Sequence, residues 1–214
     1  MIQKITGAAS LALGAWMLTM GFVGEPALAQ AREPVMKTAR IGEQAPGFSL
    51  TDTTGATHTL ADALKEYKLV VLEWFNPDCP FVQGRHKTGS TMRDLYAEFK
   101  DRGVGWLAIN SGAPGKQGAG VERNARAIRE YKIAYPVLLD ETGMVGRRYG
   151  ARTTPTMFII NHDGALLYAG AIDGKMTGRP GENFVREALE QALAGETIMT
   201  PETRSSGCSV KYAD

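Results

Sequence analysis

Apolar residues run almost unbroken from position 69 to 75, Leu-Val-Val-Leu-Glu-Trp-Phe, and Asn76-Pro77-Asp78 stops the run. A short continuous run of this kind predicts a strand buried on both faces of a sheet. From Pro80 to about Lys100 the pattern becomes helical, with Met92, Leu95, Tyr96 and Phe99 on one face of a single long helix. Proline suits the first helical position, where its missing N–H would have no partner anyway. A strand at 104–109, a Gly-rich loop at 111–120, a basic amphipathic helix at 121–131, a strand at 136–139 and a short helix at 142–149 follow. Strands at 156–160 and 165–168 flank Asp163-Gly164, a hairpin turn, and a helix at 182–193 completes the pattern. Upstream, 48–50 and 57–60 flank a turn-rich stretch and predict a small hairpin, preceded by a loose polar lead-in at 31–44.

Alternating strands and helices predict an α/β fold: a mixed central sheet with helices on both faces and an N-terminal hairpin extension. The composition, 43% hydrophobic and 22% charged over 214 residues, is that of one globular domain. A formal net charge of +1 gives nucleic acid no electrostatic hold. The first residues read differently. Lys4, an uncharged apolar run over 5–23 and Ala27-Leu28-Ala29 have the layout of a secretory signal cleaved after Ala29. The expected organisation is a signal at 1–29, a domain at 30–199 and a polar tail at 200–214, in a periplasmic or otherwise exported protein with no stable membrane span after cleavage.

Export bears on the two cysteines, Cys79 and Cys208, because an oxidising compartment permits them to pair. Cys79 falls where the central strand gives way to a helix. Backbone N–H groups there stabilise a thiolate, although Asp78 next to it opposes this. Glu73 is the one charge in the buried strand. It is either a buried acid, which by the resemblance given below would exchange protons with the thiol, or an ordinary salt-bridged strand residue. His58, His86 and His162 are scattered. A lone helix histidine such as His86 is ordinarily solvent-facing, so no metal site and no cofactor are read from the sequence. The Gly-rich loop lacks phosphate-loop spacing and is expected to be a flexible rim. Arg123, Arg126, Arg129 and Lys132 are expected to form a solvated helix face.

The segment Trp74-Phe-Asn-Pro-Asp-Cys79-Pro80-Phe-Val82, followed downstream by Thr154-Pro155-Thr156, resembles the active-site segment and cis-proline loop of thioredoxin-like redoxins. The likeness is to the alkyl hydroperoxide reductase/thiol-specific antioxidant group and covers about 41–194. It implies a thioredoxin-like fold and a thiol-based oxidoreductase in which Cys79 attacks a disulfide or, alternatively, a peroxide. It also implies that Glu73 sits behind the sulfur, that Pro155 is cis, and that Thr154, Pro155, Trp74 and Pro80 meet the substrate. The partners implied are a protein or small-molecule disulfide or peroxide and an external thiol reductant. Two departures stand out. Val82 replaces the second cysteine of the usual C-x-x-C pair, and Asn76 stands where peroxiredoxins carry threonine. Cys208 is therefore either the resolving thiol or half of a permanent disulfide, the latter in a non-enzymatic binding module.

Overall fold

The computed structural model describes Met1, residues 38–176 and residues 178–213, with the side chain of Met176 excepted. The expected signal and its cleavage site lie outside the described residues.

The first elements are the hairpin strands β1 (Ser49–Asp52) and β2 (Thr57–Thr59), then helix α1 (Leu60–Glu66) and strand β3 (Leu69–Trp74). Helices α2 (Pro80–His86) and α3 (Thr91–Phe99) lead to β4 (Val104–Asn110), α4 (Val121–Tyr131), β5 (Val137–Leu139) and α5 (Met144–Tyr149). The chain continues through β6 (Thr153–Thr154), β7 (Thr156–Asn161), β8 (Leu166–Gly170), α6 (Phe184–Leu193) and β9 (Cys208–Ser209). Seven strands form one mixed sheet in the order β2-β1-β5-β4-β3-β7-β8. The β3–β4 and β4–β5 pairs are parallel; the others are antiparallel. β6 and β9 make a separate two-stranded ribbon.

All six residues of β3 are buried, as its apolar run predicts. Alternation sends Leu69, Val71 and Phe75 into one core with Val82, Met92, Leu95, Phe99, Phe184 and Leu189. Val70, Leu72 and Trp74 enter a second core with Leu60, Val145 and Tyr149. Helices cover both faces because both faces are apolar.

The long helix expected at 80–100 is two helices. Its break falls at Thr88-Gly89-Ser90, all weak helix formers. A Cβ on Gly89 would stand 2.5 Å from the Gly84 carbonyl oxygen, so the corner closes only around glycine. Helix α1 and the β6–β9 ribbon have no counterpart in the sequence reading.

Asp52 organises the β1–β2 turn. Its Oδ1 accepts the Thr54 N–H at 2.7 Å and the Ala56 N–H at 3.1 Å, and its Oδ2 lies 2.8 Å from His58 Nε2. Burial opposes the charge, but the Thr54 hydroxyl, His58 and the two backbone donors outweigh it, and the pKa falls from 3.8 to about 2. A depressed acid stabilises the fold above its unfolded pKa and loses that contribution as pH falls through its folded value. Asp52→Asn should therefore cost about 1 kcal/mol near neutrality, after solvent screening. The gap between variant and wild type should close as pH drops from about 4 to about 2, read from urea midpoints.

Candidate active site

Cys79 is the N-cap of α2, with extended backbone (φ −81°, ψ 121°) and Pro80 at the first helical position. The turn before it is held from several sides. Asn76 Oδ1 accepts the Asp78 N–H at 2.8 Å, and its Nδ2 donates to the Gln117 carbonyl at 3.1 Å. The Pro77 carbonyl takes donors from Tyr131 (2.7 Å), Gln83 (3.0 Å) and Arg123 (3.2 Å). A carbonyl bound by three side chains from two helices fixes the turn, and with it the position of the cysteine.

Arg123 also donates from Nε to Asp78 Oδ1 at 2.7 Å. It is not part of a solvated face, as the sequence reading had it. It is half-buried against the Cys79 turn and neutralises the carboxylate that would otherwise oppose a thiolate. The Gly-rich loop is likewise pinned rather than a free rim. Asn110 and Asn124 both donate to the Gly118 carbonyl, at 2.8 and 3.1 Å. Gly118, at φ +78°, leaves room for Asn76 Oδ1, which a Cβ there would meet at 2.0 Å.

Across from Cys79 lies the Thr154–Pro155 peptide, which is cis. Cys79 Sγ donates to the Thr154 carbonyl at 3.2 Å. Thr154 pairs with Cys208, and Thr153 with Ser209, in antiparallel register. The tail thus carries Cys208 to Cys79, close enough for each thiol to act on the ionisation of the other. Both are free thiols; Cys79 is fully buried and Cys208 partly exposed. Burial pushes the Cys79 thiol up. The side chains of Cys208 and Thr154, with the backbone donors of Val82 and Cys208, outweigh it and hold the pKa below the ordinary cysteine value. For Cys208, burial and then the neighbouring Cys79 act in the same direction and push it up to about 11. The pair is therefore asymmetric, with Cys79 the more acidic thiol of the two.

Glu73 is fully buried, on the face of β3 that carries Phe75 toward Cys79. Its Oε1 lies 2.7 Å from His86 Nε2, and its Oε2 accepts the Tyr135 hydroxyl at 2.9 Å. His86 is thus a correction: it is 1% exposed, packed edge-on against Phe75, and faces the core. The sequence reading missed the roles of His86, Tyr135, Tyr131 and Arg123. Only the spacing of His86, two turns after Cys79 on one helix, hinted at any of them.

Trp74 is not brought to this group. Alternation along β3 sends it to the opposite core, against Tyr149 and Phe158, with Nε1 donating to Ser111 Oγ at 3.1 Å. Pro80 is exposed at the rim, beside Phe81, which is 41% exposed. Among the described residues, no cluster of three or more His, Cys, Asp or Glu side chains could hold a metal ion.

A mixed sheet, a cysteine capping a helix at the end of the central strand, and a cis-proline facing it define a thioredoxin-like redoxin. Residues 41–169 match the AhpC/TSA family, and the chain belongs to that family. It is 31% identical over 153 residues to the thiol-disulfide oxidoreductase ResA of Halalkalibacterium halodurans, covering 71% of this chain and 77% of that one. ResA of Bacillus subtilis is 29% identical over 156 residues, covering 73% and 78%. Among solved structures, a hypothetical protein from Sinorhizobium meliloti superimposes with a TM-score of 0.72 at 25% identity, covering 83% of this chain and 97% of that one. An uncharacterized conserved protein from Geobacillus kaustophilus does so with the same TM-score at 28% identity, covering 81% and 93%.

Proposed function

We propose that this protein is an exported thiol–disulfide oxidoreductase in which Cys79 is the nucleophile and Cys208 the resolving thiol. The observation that supports the reading is that Thr154 pairs with Cys208 while its carbonyl accepts from Cys79 Sγ. The relatives named as thiol-disulfide oxidoreductases support the reaction class. The Ala27-Leu28-Ala29 pattern supports export, and no helix among the described residues is long and apolar enough to cross a membrane.

In the forward direction the Cys79 thiolate attacks one sulfur of a substrate disulfide. A mixed disulfide forms and the other substrate sulfur leaves as a thiolate, which takes a proton. Cys208 then loses its proton and attacks the Cys79 sulfur. The second substrate thiolate departs and a Cys79–Cys208 bond remains. One disulfide has been reduced and two protein thiols oxidised; an external thiol reductant reverses the second change. Thr154 and Pro155 position the reacting sulfurs, and Pro80 borders them at the rim. Glu73 is assigned to proton handling. What supports that assignment is its burial on the Cys79 face and its bonds to His86 and Tyr135, two groups able to carry a proton.

The test is mass spectrometry of the full chain after titration with a small disulfide, then with dithiothreitol. The expected result is loss of two hydrogens through a Cys79–Cys208 bond, fully reversed by the reductant. A Cys79 that ignores the disulfide, or a bond that opens only on unfolding, would overturn the reading in favour of a binding module with a structural disulfide.

A further inference from the structure

The residues after Thr200 do not trail from the domain. The Ala169 N–H donates to the Pro201 carbonyl at 3.0 Å, the Thr203 N–H donates to the Ala169 carbonyl at 3.1 Å, and the Thr203 hydroxyl meets Tyr168 at 2.6 Å. Ser205 bonds to Thr153 and Thr156, both at 3.0 Å. Past the cysteine, the Val210 N–H donates to Arg152 at 3.0 Å, and the Lys211 carbonyl accepts from Ala113 at 2.8 Å. Tyr212 seats the far end of the strap, and the next carbonyl, of Ala213, accepts from Arg147 at 2.7 Å. The Tyr212 hydroxyl donates to the Ala151 carbonyl at 2.7 Å, and the Arg147 guanidinium lies 4.5 Å from the Tyr212 ring centroid. The seat for this ring is made by two glycines. A Cβ on Gly143 or Gly146 would meet Tyr212 at 2.5 or 2.4 Å. Gly207 lies flat on the cis-proline loop, where a Cβ would stand 2.0 Å from the Thr154 carbonyl oxygen.

Cys79 is fully buried, and the tail strand lies on the edge from which its sulfur would be approached. Cys208 is partly exposed, and rotation of its side chain, a fast local motion, would open a path for a small disulfide. A disulfide borne on a polypeptide brings its own backbone, and the edge that backbone would pair with is taken. Resting on the thiol–disulfide reading above, we propose that the docked tail is a specificity strap that keeps Cys79 to small disulfides, with Tyr212 as the latch whose release admits a polypeptide disulfide to the same edge. The partner fitted to that open edge is an extended segment with glycine just before its reacting cysteine, as Gly207 precedes Cys208.

The experiment compares three forms, all lacking Cys208 so that only Cys79 reacts: Cys208→Ser alone, Cys208→Ser with Tyr212→Ala, and a chain ending at Ser206. Each is mixed with cystamine and with a disulfide-linked peptide of about ten residues, whose flanking backbone can pair as a strand, and mixed-disulfide formation is timed by mass spectrometry. Cystamine should react at similar rates in all three. The peptide should react about tenfold faster once Tyr212 is gone, as expected for losing a hydrogen bond and a cation–π contact, and faster again without the strand. Equal peptide rates in all three forms, with cystamine reacting normally, would overturn the strap. Failure of cystamine itself to react would instead overturn the thiol–disulfide reading. Should the shortened chain not fold, the Tyr212→Ala form decides alone.

Discussion

Gly207→Val is expected to slow closure of the Cys79–Cys208 disulfide by about ten- to a hundredfold, with Cys79 still reactive toward small alkylating agents. The reason is the 2.0 Å approach of a Cβ at Gly207 to the Thr154 carbonyl oxygen, a backbone atom that cannot swing aside. Forced contacts of this kind cost about 1–3 kcal/mol. Each ~1.4 kcal/mol lost from the docked state lowers the docked-to-undocked ratio about tenfold, and closure slows in step once the undocked form predominates. Closure needs the docked state, because Cys208 reaches Cys79 only through its pairing with Thr154. Intramolecular attack owes its speed to such placement, and a tethered but undocked thiol keeps only the millimolar-range effective concentration of a flexible linker. The measurement is stopped-flow oxidation followed by mass spectrometry of quenched samples. An unchanged closure rate would show that docking does not limit the reaction.

The second large effect concerns stability. His86→Ala should destabilise the fold by about 3–5 kcal/mol, read from urea denaturation. His86 Nε2 stands 2.7 Å from Glu73 Oε1, and both side chains are essentially without solvent contact. Removing the imidazole leaves a carboxyl group in the core with only the Tyr135 hydroxyl, and a cavity beside Phe75 and Tyr131. Replacing the whole network with apolar groups, Glu73→Leu with His86→Leu and Tyr135→Phe, should recover most of the loss, since buried pairs removed together are often neutral. If the single variant costs no more than an ordinary surface substitution, the network does not hold the core.

The central strands β3, β4 and β7 were legible because nearly all of their residues are apolar and buried. The run at 69–75 and the hairpin around Asp163-Gly164 could be placed from composition alone, and helix α4 falls at the residues that its periodicity marks. The break between α2 and α3 was not legible, because Met92, Leu95 and Phe99 continue the helical spacing and the corner depends on a close approach of Gly89 to Gly84. At the site, Cys79 and Thr154-Pro155 could be read from local motifs. His86 and Arg123 could not. Each acts through a partner thirteen or forty-five positions away, and a charge pattern along one helix does not report such pairings. The docking of Cys208 was hidden for the same reason: β9 is two residues long and polar, and only its partner strand makes it a strand.

A redoxin with both thiols at one helix end closes a small ring on oxidation, and the rest of its chain is scarcely constrained. Here the closing ring would run from the end of the central strand to the last residues of the chain. Oxidation would tie every element from α2 to β9 into one covalent loop, and loops of that size add about 4–5 kcal/mol in the chain-entropy view. The resistance of the entire molecule to unfolding, and hence its lifetime among proteases, would then follow the ambient thiol balance. The oxidised form would be long-lived and the reduced form vulnerable at its C-terminal end.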